Sequence, residues 1–310
     1  MFKLTFFSPN ITTQKEISTT TGYSKLYVNA GKVTNKGIEL ALGFKQNIGP
    51  VDWKTTLLWS LNRNRIDQLL PEYTNEELGV TVHLDEMDVY SLGGAKQRLT
   101  VGGSMGDVYV NTMRTDEHGH IWMNSMTGTL ETDKNNYVYA GNTNPKYTLS
   151  WRNEFNWKGI SLGFMLNARV GGIGVSATQA VMDYYGVSKT SAEARDNGGV
   201  KVNGQMIDAQ TWYQTIGANG TGYVGSMYVY SMTNVRLGEL TLGYDIPINK
   251  WCKWISGLNV SFVGRNLWML YCKAPFDPES TASTGTYNQG MDYFMQPSLR
   301  SMGFSAKISF

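Results

Sequence analysis

The sequence predicts an all-β protein, an antiparallel transmembrane sheet of about eight strands that forms part of a β-barrel. Three observations predict this fold class: long segments of alternating apolar and polar residues, an unusual composition, and connections that alternate between short and long. Charged residues are 17% of the 310 residues, and the chain has 34 glycines, 18 tyrosines and 9 tryptophans. Soluble domains usually contain about 25% charged residues. The net charge of +2 excludes a strongly basic nucleic-acid-binding protein.

Hydropathy excludes membrane-spanning helices but leaves a membrane barrel open. The mean hydropathy is −0.29, and no unbroken apolar run reaches the length of about 18 residues that a spanning helix needs. Strands of a membrane barrel alternate apolar and polar residues, so their average is hydrophilic.

The clearest strand is the segment 146–157. One face of it carries Tyr147, Leu149, Trp151, Asn153, Phe155 and Trp157, and the other face is polar throughout. This period of two is typical of a strand with one apolar side. Lys158-Gly159 follows as a two-residue turn, with glycine where a positive φ is wanted. The alternation then resumes over 160–170, so the sequence predicts a long hairpin.

The same pattern recurs along the chain. It predicts strands at 38–44 and 53–61, at 240–246 and 258–268, and at 302–310, with a shorter strand around 4–7. No stretch shows a convincing helical period.

Strand length and charge favour a membrane barrel over a soluble sandwich. The ten steps from Tyr147 to Trp157 cover roughly 33 Å, which after tilting spans about 25 Å, the height of the apolar band of such barrels. The polar faces carry Arg152, Glu154, Arg169, Arg265 and Lys307. A dry sandwich core does not hold unpaired charges, so we expect these side chains to face a water-filled lumen.

The connections are asymmetric. They are short near positions 49, 159 and 247 and long over roughly 9–33, 66–145, 172–232 and 271–297. Outer-membrane barrels have short turns on one side and long loops outside the cell. Residues 1–7 lack the apolar core and cleavage site of a secretory signal. An exported protein needs such a signal, so either the chain stays in the cytosol or the 310 residues are a piece of a longer protein, and we expect the second.

Several segments form an ordered set of motifs: residues 29–40, 141–145, 235–244, 264–267 and 277–279, and the terminal Phe310. Together they resemble one family, the SusC/RagA TonB-linked outer-membrane proteins of Bacteroidetes. The order and approximate spacing of these motifs agree with the family over essentially the whole chain. Ser150 departs from the pattern, since a glycine or another small residue is expected there.

The resemblance implies that residues 1–310 are the C-terminal portion of a larger barrel of about 22 strands with an N-terminal plug. It implies import of glycan or peptide fragments across the outer membrane, with a SusD-like lipoprotein as a lid and the TonB complex as the energy source. It also implies that Phe310 is a signal for the barrel-assembly machinery, although a terminal aromatic residue also serves as an interfacial anchor. No cofactor or metal is implied.

Aromatic residues in the long loops are the candidates for contact with an oligosaccharide or a peptide. They are Trp122, Tyr139, Trp212, Tyr213 and Tyr287. Loop packing and contact with a lid protein explain them equally well. The pair His118 and His120, near Asp116 and Glu117, lacks a third spaced ligand for a metal.

Two other functions are weighed beside import. A self-contained eight-stranded barrel with a structural or adhesion role is possible, because eight strands close around a side-chain-filled interior. Its lumen residues here are small, which leaves a narrow barrel underfilled. An enzyme built on a barrel has little support, because the three histidines, His83, His118 and His120, all fall in predicted loops.

Overall fold

The structure is a computed structural model that describes residues 2–7, 10–16, 25–76, 79–124, 126, 129–218, 222–248, 254–280 and 288–310. For residues before 31 and for Val80 it describes the backbone alone. Within these ranges, no helix has the length and apolar character needed to cross a bilayer.

Strands make up most of the described chain. In order they are β1 (Phe2–Phe7), β2 (Asn10–Glu16), β3 (Lys25–Ile48), β4 (Val51–Gln68), β5 (Leu70–Asn75), β6 (Val80–Leu84), β7 (Glu86–Leu92), β8 (Ala95–Thr100), β9 (Asp107–Met113), β10 (Thr132–Asn142), β11 (Tyr147–Trp157), β12 (Ile160–Val170), β13 (Ile173–Ser176), β14 (Val200–Val202), β15 (Gln205–Ile207), β16 (Val229–Ser231), β17 (Asn234–Ile246), β18 (Gly257–Cys272), β19 (Met291–Asp292) and β20 (Ser301–Ser309). The helices in the described ranges are α1 (Ala177–Tyr184), α2 (Lys189–Asp196) and α3 (Ala209–Ile216), with a 3-10 turn at Gly225–Tyr228.

The long strands form one antiparallel sheet, here called the wall. Its order is β1-β3-β4-β11-β12-β17-β18-β20, and β2 also pairs with β3. Because β1 and β2 pair with different parts of β3, they occupy one position in the order, and the wall is eight strands wide. The prediction of an all-β antiparallel sheet of about eight strands is confirmed. In the described chain, β20 pairs with β18 alone, and β1 and β2 with β3 alone.

The hairpin predicted around Lys158-Gly159 is confirmed. Strands β11 and β12 have the bounds that the alternation indicated, and they pair from Tyr147–Val170 to Trp157–Ile160. Lys158 has φ 48° and Gly159 has φ 87°, as a two-residue turn of type I′ requires. This turn matches the twist of the strands it joins.

One face of the wall is apolar and exposed. The register places Leu57, Trp151 and Leu166 side by side across β4, β11 and β12. Trp151 is 40% exposed, Leu162 38% and Phe304 85%. These side chains are not packed in a closed interior of the described chain, as a membrane-facing surface requires.

The predicted long loops are more ordered than the sequence indicated. Residues 10–16 and 25–33 belong to β2 and β3, so the predicted loop over 9–33 is in large part strand. The segment 66–145 contains a four-stranded sheet of order β10-β9-β8-β7. The segment 172–232 contains the three helices, which corrects the expectation that no helix is present.

The helices were missed because each has eight residues, about two turns, which is too short for an apolar period to be recognised. Their start signals are nonetheless in the sequence. Ser176, Ser188 and Asp208 cap α1, α2 and α3 by accepting hydrogen bonds from backbone amides three residues later. Small polar residues at this position are the usual N-caps.

The loop elements pack into a second layer, here called the cap, around a hydrophobic core of their own. Tyr223, Tyr228, Val108 and Val175 are fully or almost fully buried in it. The Tyr223 hydroxyl donates to the Leu92 carbonyl oxygen at 2.6 Å. The cap lies at the end of the wall where the long connections meet, and it fixes the loops that border the groove described below.

Arg236 ties the last long connection to the wall, and it joins three segments that the sequence analysis treated separately. Its guanidinium donates to Asp277 Oδ1 and to Asn266 Oδ1, each at 2.9 Å, and to Ser298 Oγ at 3.2 Å. Glu279 lies 3.4 Å away. The Arg236 and Asp277 side chains are 5% and 9% exposed, so this is a buried ion pair.

The Asp277 carboxyl makes the stability of this ion pair with Arg236 depend on pH. Burial alone raises its pKa, but hydrogen bonds from Ser298, from the Glu279 amide and from Arg236 outweigh burial and bring the pKa to about 2. An unfolded aspartate titrates near pH 4. Because the folded pKa is the lower one, the stabilisation is complete above about pH 4 and is lost as the pH falls toward 2.

We expect the free energy of unfolding of the wild-type protein to fall by about 2 kcal/mol as Asp277 is protonated between about pH 4 and pH 2. Asp277→Asn removes the titrating group, so it should be less stable at pH 6 and should show a flatter dependence below pH 4. Unfolding in detergent at pH 6, 4 and 2 measures this. Parallel curves for the two proteins would contradict the assignment.

Candidate functional site

A cavity of about 870 Å³, here called the groove, lies at the junction of wall and cap. It lies between residues 60–65 of β4, the loop 101–107 and the segment 139–148. Its polar lining includes Asn62, Arg63, Asn64, Arg65, Asp107, Tyr139, Asn142, Asn144 and Lys146. Its volume is in the range usual for small-molecule and peptide sites.

The groove exists because β4 is longer than its neighbour β11. The pairing of the two strands ends at Ser60 opposite Thr148, whereas β4 continues to Gln68. Before Thr148 the chain turns away, and the Lys146 amide donates to the Val170 carbonyl oxygen at 2.7 Å. Pro145 has no amide hydrogen to donate to a ladder, so the sequence itself stops the pairing here.

Asp107 organises one wall of the groove. It is buried, and it accepts hydrogen bonds from Asn142 Nδ2 at 2.7 Å and from the Ser104 amide at 2.8 Å. The Tyr139 hydroxyl donates to it at 3.4 Å. Partial burial and the Asp107 charge raise the pKa of Tyr139, so the phenol stays protonated and acts as a donor. Both oxygens of the Asp107 carboxylate therefore accept hydrogen bonds from groups of the protein.

Asn64 holds the loop 101–107 against β4. Its side-chain oxygen accepts from the Met105 amide at 2.8 Å and from Ser104 Oγ at 3.3 Å, and its Nδ2 donates to Asn35 Oδ1 at 2.9 Å. One amide side chain thus joins two wall strands and the cap loop. The groove is preorganised because these contacts fix both of its sides.

The main chain of β4 is open along the groove. Ile66 is paired beyond it, since its amide donates to the Gly103 carbonyl oxygen and its carbonyl oxygen accepts from the Gly102 amide, each at 2.8 Å. Ser60 is paired before it with Thr148. Between these two points, no backbone group pairs with Asn62 or Asn64 on this side in the described part of the chain, and the Asn62 carbonyl oxygen accepts only a long bond from Arg63 Nη1 at 3.4 Å.

The groove is basic. Arg63, Arg65 and Lys146 line it together with a single acidic residue, the hydrogen-bonded Asp107. Arg63 and Arg65 are exposed, and Arg65 lies 4.0 Å from Asp67. Arg63 Nη1 donates to the carbonyl oxygens of Asn62 and Pro145, each at 3.4 Å, so its remaining guanidinium hydrogens are the ones that face a ligand. In the described ranges, no carboxylate lies within 4.0 Å of Arg63 or of Lys146. The groove therefore offers positive charge to an anionic ligand.

Of the predicted aromatic candidates, Tyr139 lines the groove. Trp122 stacks under the Arg114 guanidinium, 4.6 Å from the ring centroid, in the hairpin 114–131. Trp212 is 8% exposed and packs in the core of the cap, so its ring is not available to a substrate in this conformation. Tyr213 borders a separate cavity of about 190 Å³. Tyr287 lies outside the described residues.

The predicted lumen-facing charges share the face of the wall opposite to the apolar one. Glu154 bonds to Arg152 at 2.8 Å and lies 3.7 Å from Lys54. Arg265 lies 3.7 Å from Glu239. Arg169 donates to the Thr143 carbonyl oxygen at 2.7 Å, and Lys307 is opposite Asn259 in the register. That this face lines a pore remains a prediction, as does the assembly role of Phe310.

The histidine pair forms a closed turn. The Asp116 carboxylate accepts from the backbone amides of His118 and His120 at 2.9 and 2.8 Å. These bonds, with partial support from the His120 ring at 3.3 Å, lower the pKa of Asp116. In the described ranges, no group of three His, Cys, Asp or Glu side chains is arranged to hold a metal ion.

The groove residues of β4 were missed by the sequence analysis, although a signal for them exists. After Leu61 the alternation of β4 gives way to Asn62-Arg63-Asn64-Arg65, which puts arginines where the apolar face would continue. This change marks the level at which the strand leaves the apolar band. Proximity to the loop 101–107, by contrast, follows from the tertiary fold.

Comparison with known proteins agrees with this architecture. In sequence, the chain is 22% identical over 319 residues to TonB-dependent receptor P3 of Formosa agariphila, a match that covers 93% of this chain and 30% of the relative. In fold, it is similar to a structure titled RagAB peptide transporter, with TM-score 0.65 and 14% identity over 98% of this chain and 32% of that one. The resemblance to SusC/RagA-type TonB-dependent receptors is confirmed.

A second structure of similar fold is titled RagAB peptide importer in the open-open state. Its TM-score is 0.62 at 15% identity, over 100% of this chain and 32% of that one. At such identities, the structural likeness establishes the fold. No protein-family model matches the chain. The chain spans about a third of the length of these relatives.

Proposed function

We propose that this chain is the C-terminal barrel portion of a TonB-dependent importer of the SusC/RagA type in the outer membrane. In this proposal the whole receptor takes up oligosaccharide or peptide fragments. A SusD-like lipoprotein closes it from outside, and the TonB complex supplies energy through the part that precedes this chain. The wall contributes the bilayer-facing surface and the cap contributes to the substrate-facing side.

The observation that carries this proposal is the open wall. Its apolar face is exposed, the opposite face holds the charges, and both end positions have a free edge in the described chain. In hydrocarbon, every unpaired backbone group costs several kcal/mol. A wall with two free edges is therefore stable in a bilayer when further strands continue it on both sides, as in a larger barrel.

The match to relatives about three times as long supports the same proposal. The reported relatives are named as a receptor and as a peptide transporter and importer, which favours transport over catalysis. The free edges oppose the self-contained eight-stranded barrel, since that barrel requires β20 to pair with β1 or β2.

Insertion of the isolated chain tests the proposal. We expect the 310-residue chain, mixed with liposomes, to remain accessible to protease and to migrate identically before and after boiling. The full-length gene product should be protected and heat-modifiable. Sequencing of the flanking DNA should reveal a plug, further strands and a neighbouring gene for a SusD-like protein. A heat-modifiable, protected 310-residue chain would instead support the eight-stranded barrel.

A further inference from the structure

We propose that the groove binds an extended acidic peptide, which adds as a short strand to the open edge of β4. The inference rests on the proposed import function and names the ligand chemistry of one site within it. Three properties of the groove carry it: the direction of the free backbone groups, the length of the gap, and the spacing of the positive charges.

The backbone groups of Asn62 and Asn64 point into the groove. In a strand, the amide and carbonyl groups of every second residue point to the same side. Ile66 directs both of its groups to the groove side, where they pair with Gly102 and Gly103. Two and four residues earlier, Asn64 and Asn62 therefore present the same donor and acceptor pattern. An added strand meets this pattern directly.

The gap has the size of a short peptide. From Ser60 to Ile66 there are six steps along β4, roughly 20 Å at the usual rise. The paired residues close both ends of this interval, so about three residues of an added strand face the edge between them. The volume of about 870 Å³ accommodates them.

The charges match alternate acidic side chains. Arg63 and Arg65 are two residues apart and project from the same face of β4, about 7 Å from each other along the strand. Side chains at alternate positions of an added strand have the same spacing and lie beside them as cross-strand neighbours. Lys146 faces them from the other side of the groove. An oligosaccharide of uronic acids has carboxylates but no main-chain repeat of donors and acceptors of this kind, and for this reason we favour the peptide.

N-methylated probes test strand addition directly. The probe is the acetylated and amidated pentapeptide Asp-Ala-Asp-Ala-Asp, measured by calorimetry against the full-length gene product in detergent. One derivative is N-methylated on the aspartates and another on the alanines. In an added strand one set of amides faces β4 and the other faces away, so one derivative should bind about tenfold or more weakly and the other nearly normally. Equal effects of the two would overturn strand addition.

Charge variants test the second half of the inference. Arg63→Gln and Arg65→Gln should each weaken binding of the acidic probe about fivefold, whereas Lys189→Gln on α2 serves as a matched control and should have no effect. The corresponding Lys-Ala-Lys-Ala-Lys peptide should bind far more weakly. If trigalacturonate binds and the acidic peptide does not, the groove is an oligosaccharide site and the inference is wrong.

Failure of this inference is separable from failure of the proposed function. Insertion and heat-modifiable migration of the full-length product do not depend on the groove side chains. A protein that inserts and binds none of the probes overturns the groove assignment alone.

Discussion

Arg236→Met is expected to lower the free energy of unfolding by about 3–5 kcal/mol, because it leaves the buried Asp277 carboxylate without its partner. The carboxylate keeps its bonds to Ser298, but the positive charge that compensates it is gone. The segment 273–280 should detach from the wall, and β18 loses the bond at Asn266. Urea unfolding of the full-length product in detergent, followed by tryptophan fluorescence, measures the change.

Two further variants make this prediction specific. Arg265→Met removes an exposed arginine whose contact with Glu239 is 3.7 Å, and such a pair contributes at most about 1 kcal/mol. The double variant Arg236→Met with Asp277→Asn removes both charges and should recover part of the loss. An equal effect of the Arg236 and Arg265 variants would show that Arg236 is not a buried anchor.

The second large effect is expected at Leu42, on the apolar face of β3. Leu42→Arg should destabilise the inserted protein by about 2–4 kcal/mol, the cost of a guanidinium facing lipid near the middle of a bilayer. Leu42 is 54% exposed in the wall and is opposite Leu57 on β4, so the arginine would have an apolar cross-strand neighbour.

Gly43→Arg is the matched control for Leu42→Arg. Gly43 is the next residue, projects to the opposite face, and a Cβ there meets no atom within 4 Å. If that face is wet, the arginine is tolerated and the unfolding free energy in lipid changes little. A loss at Gly43 as large as that at Leu42 would contradict the assignment of the two faces.

The wall could be predicted from the sequence because the environment of each of its side chains depends on that residue's position along its own strand. In β11 and β12 every second residue has the same environment, so the alternation identifies the strands, and Lys158-Gly159 specifies the turn between them. The cap could not be predicted in the same way. Its helices have two turns each. Tyr223 is buried against Gly93 and against the ring of Tyr228 and donates to the Leu92 carbonyl oxygen, contacts that no local pattern indicates.

The site was predicted in part for the same reason. Exposed loop aromatics were reasonable candidates, and Tyr139 does line the groove. Trp212 is also an aromatic residue in a predicted long loop, but it is buried in the core of the cap because α3 turns its apolar face inward. To predict that β4 has an open edge at Asn62 and Asn64, one must know where the pairing with β11 stops. Pro145 is a residue that stops a strand ladder, but it lies 82 residues after Arg63, and this separation concealed the pairing.

The parallel pair of β13 and β19 has a consequence for the order of folding. Ser176 caps α1 and donates to Asp292 at 2.5 Å, a contact that joins positions 116 residues apart. Such a closure is entropically expensive until intervening strands have brought its ends together. We therefore expect β17 and β18 to pair with their neighbours early in folding. The contact between Ser176 and Asp292, which supports α1, should form among the last steps.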